Sequence, residues 1–70
     1  METDKLLLKT FGKTVQNLRK GLGLSQEELA YRAGFHRTYI GMIERAERNI
    51  TLSNLKRLAD ALEVEIKDLF

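Results

Sequence analysis

The stretch that most constrains the fold covers residues 26–45, QEELAYRAGFHRTYIGMIER, which has the pattern of two short helices joined by a tight turn. Just before it, Ser25 begins an S-x-x-E capping box with Glu28, in which each side chain satisfies a backbone donor at the start of a helix. The periodicity predicts that this helix continues to about Ala33. Gly34 then ends it in the left-handed conformation, because glycine has no side chain to clash there.

The second predicted helix begins near His36 or Arg37 and buries Ile40 and Ile43. Two helices that cross steeply through a short turn need a small residue where they touch, and Ala30 occupies that position. Four residues lie on the face opposite Ile40: Thr38, Gly41, Met42 and Arg45. The pattern favours a DNA-reading unit, and the alternative is a helical hairpin that serves only as core.

This segment resembles the helix-turn-helix of the phage-repressor and Cro family, also called the XRE family. The small and apolar positions of that motif are filled by Leu29, Ala30, Ala33, Gly34, Phe35, Ile40 and Ile43. Residues 36–51, HRTYIGMIERAERNIT, are similar to the controller proteins of restriction–modification systems, which are small dimeric regulators with an Arg-Thr-Tyr-Ile run in this place. The family resemblance covers nearly the whole chain and implies an all-α, lambda-repressor-like DNA-binding domain.

Seventy residues make one small domain spanning residues 1–70, and the absence of proline favours an all-helical chain. The chain also has no cysteine and a single histidine. Disulfides and thiolate metal sites are excluded, and we expect no metal and no cofactor. A core of this size supplies only about 3–5 kcal/mol, so well-packed helices or dimerisation must stabilise it. The net charge of +2 permits nucleic-acid binding without demonstrating it. The run of leucines at residues 6–8 is too short for a signal peptide or membrane span, so we expect a soluble, cytoplasmic protein.

The first helix is predicted from about residue 5 to residue 20, after a frayed start at residues 1–4 with Thr3 or Asp4 as the N-cap. Its inward stripe comprises Leu8, Phe11, Val15, Leu18 and Leu22. Gly12 lowers the helix propensity within this stretch, which indicates close packing against a neighbouring element.

The C-terminal third is predicted to contain two more helices, which complete a compact five-helix bundle. Residues 46–50 form a polar linker, and Thr51 caps a helix over about residues 52–62. A bend at residues 63–64 leads into a last short helix at residues 65–70.

The residues expected to contact DNA bases are Arg37, Thr38, Tyr39, Gly41 and Met42. Arg37, at the leading end of the helix, can donate two parallel hydrogen bonds to guanine O6 and N7, although a phosphate contact or a solvated charge is the alternative. Thr38 can contact a base, and the alternative is that it caps the helix. The resemblance implies that Tyr39 touches the DNA backbone or a neighbouring base, and the alternative is a partly buried packing role within the protein. Gly41 would let the backbone approach the bases. Met42 offers an adaptable thymine-methyl contact or packs into a loop.

Phosphate contacts are expected from residues that flank this helix: Gln26, Tyr39, Arg45, Arg48 and Asn49. Gln26 lies in the first turn of its helix, where backbone amides and the helix dipole attract a phosphate. The resemblance implies that Arg48 contacts DNA, as the equivalent arginine does in the controllers. A solvated side chain is the alternative for each arginine, and His36 is expected to act as an N-cap.

Two structural expectations accompany these sites. The resemblance implies a buried ion pair between Arg19 and Glu44. The C-terminal apolar residues exceed what one small core can cover, so we expect a dimer interface formed by Leu62, Val64, Ile66, Leu69 and Phe70. The alternative for each is packing within the protomer, which some of them must adopt.

No nucleophile–base pair and no phosphate-cradling glycine loop is evident in the spacing, so the chain is not expected to be an enzyme. A single domain of this size reads few bases, which favours a homodimer on a pseudo-palindromic double-stranded operator. As a restriction–modification controller it would activate transcription at low dose and repress it at higher occupancy, with RNA polymerase as a further contact. The alternatives are a solitary repressor, an antitoxin, and a protein-interaction module that no longer binds DNA.

Overall fold

The computed structural model describes residues 4–70, so the predicted cap at Thr3 lies outside the described residues. The elements, in chain order, are α1 (Lys5–Gly21), α2 (Gln26–Ala33), α3 (Arg37–Glu44), α4 (Leu52–Ala61) and a single 3₁₀ turn (Ile66–Leu69). The prediction of an all-helical helix-turn-helix fold is confirmed. The last short helix, predicted at residues 65–70, is a single 3₁₀ turn, so residues 4–70 form four α-helices and this turn. None of the described helices is both long enough and apolar enough to cross a membrane.

Each α-helix begins at a residue whose side chain accepts a hydrogen bond from the first turn. Asp4 Oδ1 accepts from the amides of residues 6 and 7, and Thr51 accepts from the amide of residue 54. The capping box is present in full, because Ser25 accepts from the Glu28 amide while its own amide donates to the Glu28 carboxylate. The pKa of the Glu28 carboxyl is lowered mainly by the hydrogen bond from the Ser25 amide and, to a smaller extent, by the Ser25 hydroxyl. His36 caps α3 through Nδ1, which accepts from the Thr38 amide at 3.1 Å.

Each of the four α-helices ends in a left-handed residue, although only two of these residues are glycine. The positive-φ residues are Gly23, Gly34, Ala46 and Glu63. In each case the amide of the next residue donates to a carbonyl five positions earlier, for example Glu47 to Met42 at 2.8 Å. This is the Schellman arrangement, which satisfies helix-end carbonyls. The prediction of Gly34 as the end of α2 is confirmed.

The core lies where the four helices meet the 3₁₀ turn. Its fully buried large side chains are Val15, Leu29, Ile40, Ile43, Leu58, Leu62 and Leu69. The prediction that Leu22 points inward is wrong, because α1 ends at Gly21 and Leu22 already belongs to the cap, where it is 40% exposed. Leu24, beyond the turn, is buried instead.

The C-terminal segment contributes more to the protomer core than expected. Leu62 and Leu69 are buried inside the protomer, so of the five residues predicted at the interface these two follow the alternative of packing within the protomer. The 3₁₀ turn begins with the Glu65 amide donating to Asp68 at 3.0 Å, and this tight turn directs Leu69 inward. Phe70 stacks on Phe11 with ring centroids 5.4 Å apart.

Gly12 is the point of closest approach between α1 and the end of α3. A Cβ atom at this position would lie 2.5 Å from the carbonyl oxygen of Ile43 and 2.9 Å from that of Glu44. Only a residue without a side chain lets the two backbones come this close. Gly12 therefore sets the position of α3 relative to α1.

Candidate nucleic-acid interface

The leading end of α3 exposes two of the predicted base-contacting residues. Arg37 and Thr38 are both exposed, directly after the His36 cap. The nearest carboxylate to the Arg37 guanidinium is that of Glu27, at 3.6 Å, and both side chains are largely solvated. Exposed pairs of this kind contribute about 0–1 kcal/mol, so Arg37 can leave Glu27 for another acceptor at little cost.

Tyr39 is half-buried and contacts three different parts of the chain. Its ring meets Phe35 edge-on at a centroid distance of 4.9 Å. Its hydroxyl accepts a hydrogen bond from Asn54 Nδ2 at 3.3 Å. The Arg48 guanidinium lies 5.5 Å from the ring centroid, within cation–π distance. These contacts hold both Tyr39 and Arg48 in place in the unbound protein.

Gly41, which was predicted to let the backbone approach the bases, is covered in the unbound protein. A Cβ atom at Gly41 would lie 3.0 Å from Arg45 Nη1 and 3.6 Å from Gln26 Oε1. Helical side chains point back toward the N-terminus, so Arg45 folds over the residue four positions earlier. Arg45 must move before the Gly41 backbone can meet a base. Met42, predicted on the same face, is half-buried.

The segment that follows α3 carries the predicted phosphate contacts. Arg45 and Arg48 are exposed, as is Asn49. Arg45 Nε donates to Glu47 Oε2 at 3.1 Å, and this hydrogen bond raises the pKa of Arg45. The Arg45 guanidinium is charged at every physiological pH, as arginine ordinarily is, and the hydrogen bond reinforces this.

Arg19 and Glu44 form a two-point ion pair that joins α1 to the end of α3. Arg19 Nε and Nη2 donate to the two Glu44 carboxylate oxygens at 2.7 and 3.0 Å, while Nη1 donates to the Leu24 carbonyl at 2.7 Å. Gln26 Nε2 also donates to Glu44 Oε1, at 3.0 Å. The Gln26 side chain, predicted to meet phosphate, is thus engaged in fastening α2 to α3.

Arg57 is a residue of this site that the sequence did not reveal. From α4 it donates to the carbonyls of Ala33 and Gly34 at 3.1 and 2.7 Å, which are orphan acceptors at the end of α2. Its guanidinium also lies 4.4 Å from the Phe35 ring centroid. Arg57 therefore clamps the turn between α2 and α3. No local signal indicates this role, because residue 57 is more than twenty positions away from its acceptors.

Within residues 4–70, no group of three or more His, Cys, Asp or Glu side chains is placed to hold a metal ion. The charged groups of α3 and its flanks instead present hydrogen-bond donors outward, which suits an anionic partner.

Comparison with known proteins identifies the fold family. The model of the helix-turn-helix family matches residues 15–69. The chain belongs to this family. It is 45% identical over 60 residues to the control protein C.BamHI of Bacillus amyloliquefaciens, covering 84% of this chain and 74% of that protein.

Solved structures agree with this assignment. The restriction-modification controller protein C.AhdI from Aeromonas hydrophila superimposes with a TM-score of 0.88 at 46% identity, covering 90% of this chain and 96% of that one. The controller protein C.Esp1396I, as a tetramer in complex with its natural 35 base-pair operator, gives a TM-score of 0.80 at 35% identity and covers 90% of this chain and 93% of that one. The family resemblance inferred from the helix-turn-helix and from residues 36–51 is confirmed.

Proposed function

We propose that this protein is a dimeric, sequence-specific DNA-binding transcriptional regulator of the restriction–modification controller type. The observation that carries the proposal is the leading end of α3, where Arg37 and Thr38 are exposed on a helix fastened to α1, α2 and α4. A preorganised recognition helix of this kind enters the major groove with its first residues at the base edges.

Roles in DNA binding follow from the side-chain positions. Arg37 donates to a guanine and Thr38 meets the neighbouring base, while Tyr39, Arg45, Arg48 and Asn49 contact phosphates. Gln26 contributes through the backbone amides of the first turn of α2. Gly41 and Met42 come close to bases only after Arg45 moves from its position over Gly41 to a phosphate.

The dimer interface is proposed at an apolar patch that we define as Leu7, Leu52 and Phe70. These side chains are 51%, 76% and 62% exposed and surround a groove of about 320 Å³. Val64 and Ile66, which were also predicted at the interface, are half-buried and pack against the core. A two-fold dimer of this kind would place its two recognition helices at half-sites about 34 Å apart.

As a controller in the cytoplasm, the dimer would activate its own promoter and the endonuclease promoter at low occupancy and repress at higher occupancy. Activation would involve RNA polymerase. The complex of the C.Esp1396I tetramer with its natural 35 base-pair operator supports the binding of more than two copies to one operator.

Selection of bound duplexes from a random-sequence pool tests this function, with Arg37→Ala as the variant. We expect the wild-type protein to enrich a palindrome, and the variant to lose preference at one guanine in each half-site at a cost of about 1–3 kcal/mol. Arg32→Ala, which removes an exposed arginine of α2 paired with Glu63, is the matched control and should keep the same palindrome. Failure of the wild-type protein to enrich any sequence would contradict the proposal.

A further inference from the structure

A cleft between α1 and the segment after α3 brings Lys5 and Lys9, which have no role assigned so far, next to three of the proposed phosphate contacts, Arg45, Arg48 and Asn49. It has a volume of about 790 Å³. Its lining residues are Lys5, Leu8, Lys9, Arg45, Ala46, Glu47, Arg48 and Asn49. We call it the α1 cleft.

The α1 cleft has an excess of positive charge. Four cationic side chains line it against one carboxylate, and that carboxylate, on Glu47, is already paired with Arg45 at 3.1 Å. Lys5 and Lys9 have no ion-pair partner among residues 4–70, whereas Lys56 and Lys67 each lie within 3.3 Å of a carboxylate. Unneutralised cations along a concave surface attract an extended anion.

The α1 cleft is continuous with the proposed recognition surface. Arg45 and Arg48 line the cleft and also flank the recognition helix, so an anion that runs past the end of α3 reaches the cleft without a break. Lys5 and Lys9 are four residues apart on one helix, which places them on the same face. A DNA strand carries one negative charge about every 3.4 Å along the helix axis, so neighbouring phosphates of one strand can face Lys5 and Lys9 at the same time.

We propose that Lys5 and Lys9 contact the phosphodiester backbone of the duplex that α3 reads, so that α1 forms the second wall of a trough for one DNA strand. This inference rests on the proposed function and adds a surface that the recognition helix alone does not supply. Because phosphates carry no sequence information, these lysines strengthen binding to every duplex and leave the preferred sequence unchanged.

The test measures the dissociation constant of the full chain for the selected operator and for a random duplex, as a function of salt. The variant is Lys5→Gln with Lys9→Gln. Its matched control is Lys13→Gln with Lys67→Gln, which removes the same charge from exposed residues outside the cleft, one of them on α1.

We expect the cleft variant to weaken binding to both duplexes by roughly tenfold or more and to reduce the slope of log K against log salt by about 1.8, since each phosphate contact contributes about 0.9. The control should change the slope by much less, and both variants should keep the wild-type melting temperature. Equal slopes for the two variants would overturn the inference. If the wild-type protein selects no operator but the cleft variant still lowers the slope on random DNA, the proposed sequence-specific function fails and the cleft assignment stands.

Discussion

At the scale of single residues, Glu44 joins three elements of the molecule. It lies at the end of α3 and accepts hydrogen bonds from Arg19 of α1 and Gln26 of α2, with only 2% of its side chain exposed. Loss of either donor would leave the buried Glu44 carboxylate less well compensated. An uncompensated buried charge strongly lowers the free energy of unfolding. The orientation of the recognition helix therefore depends on this carboxylate.

Arg19→Ala removes the principal partner of that charge. We expect the free energy of unfolding to fall by about 3–5 kcal/mol, because a buried carboxylate is left without its cation. Urea denaturation at fixed protein concentration measures this. The control is Arg32→Ala, whose pair with Glu63 is exposed and should contribute about 0–1 kcal/mol. An Arg19→Ala variant as stable as the control would show that the pair is not important for stability.

Gly12→Ala probes the contact between α1 and α3. Alanine improves helix propensity by up to about 1 kcal/mol, but its Cβ would overlap the carbonyls of residues 43 and 44, and overpacking costs about 1–3 kcal/mol. We expect a net loss of stability and weaker operator binding, because α3 must shift. Gly21→Ala is the control, since a Cβ there meets nothing within 4 Å. It should be neutral or stabilising by thermal melting, and a stabilised Gly12→Ala variant would argue against the close approach.

At the scale of elements, the four α-helices share one way of ending, a left-handed residue followed by a long backbone hydrogen bond. At Gly34 the residue type suits the conformation, and its missing side chain also leaves room for the Arg57 clamp. At Ala46 and Glu63 the same conformation is adopted by residues whose Cβ atom disfavours it. These two helix ends therefore hold strain that glycine would relieve.

Ala46→Gly should raise the free energy of unfolding by about 0.5–1 kcal/mol, because the left-handed conformation costs alanine about 1–2 kcal/mol and the greater freedom of glycine in the unfolded chain offsets part of that gain. Chemical denaturation provides the measurement. Ala33→Gly, at a right-handed helical position in α2, should instead lower stability by about 0.5–1 kcal/mol or more. A loss of stability in both variants would contradict the left-handed assignment at Ala46.

At the scale of the whole molecule, the apolar patch and the α1 cleft adjoin, because Leu8 and Asn49 line both the cleft and the groove within the patch. Dimerisation through the patch would therefore bring the two clefts of a dimer close to the centre of the operator. Both surfaces would then act on the same DNA segment, the cleft through its positive charge and the patch through the spacing of the two subunits.

Leu52→Asp with Phe70→Asp should give folded monomers that bind the operator much more weakly, because two charges would be buried without partners at the interface. Sedimentation analysis and circular dichroism measure assembly and folding separately. Tyr31→Asp, at a side chain that is 87% exposed on α2, is the control and should remain dimeric. Dimers of the double variant at unchanged affinity would place the interface elsewhere.

The sequence by itself determined the features that depend on near neighbours. The capping box at Ser25, the cap at Thr51 and the left-handed Gly34 each act within one helical turn, so their residue types predict where α2 and α4 begin and where α2 ends. The spacing of Ile40 and Ile43 likewise predicts the buried face of α3.

Only the tertiary structure decided the features that depend on residues distant in the chain. Leu62 and Leu69 are buried because the 3₁₀ turn folds back onto α1 and α4, and apolar character alone does not tell a core from an interface. Arg57 finds its acceptors 23 and 24 residues away, and Gly41 is covered by Gln26 from another helix as well as by Arg45. Contacts of this range form only when the helices pack, so no local pattern records them.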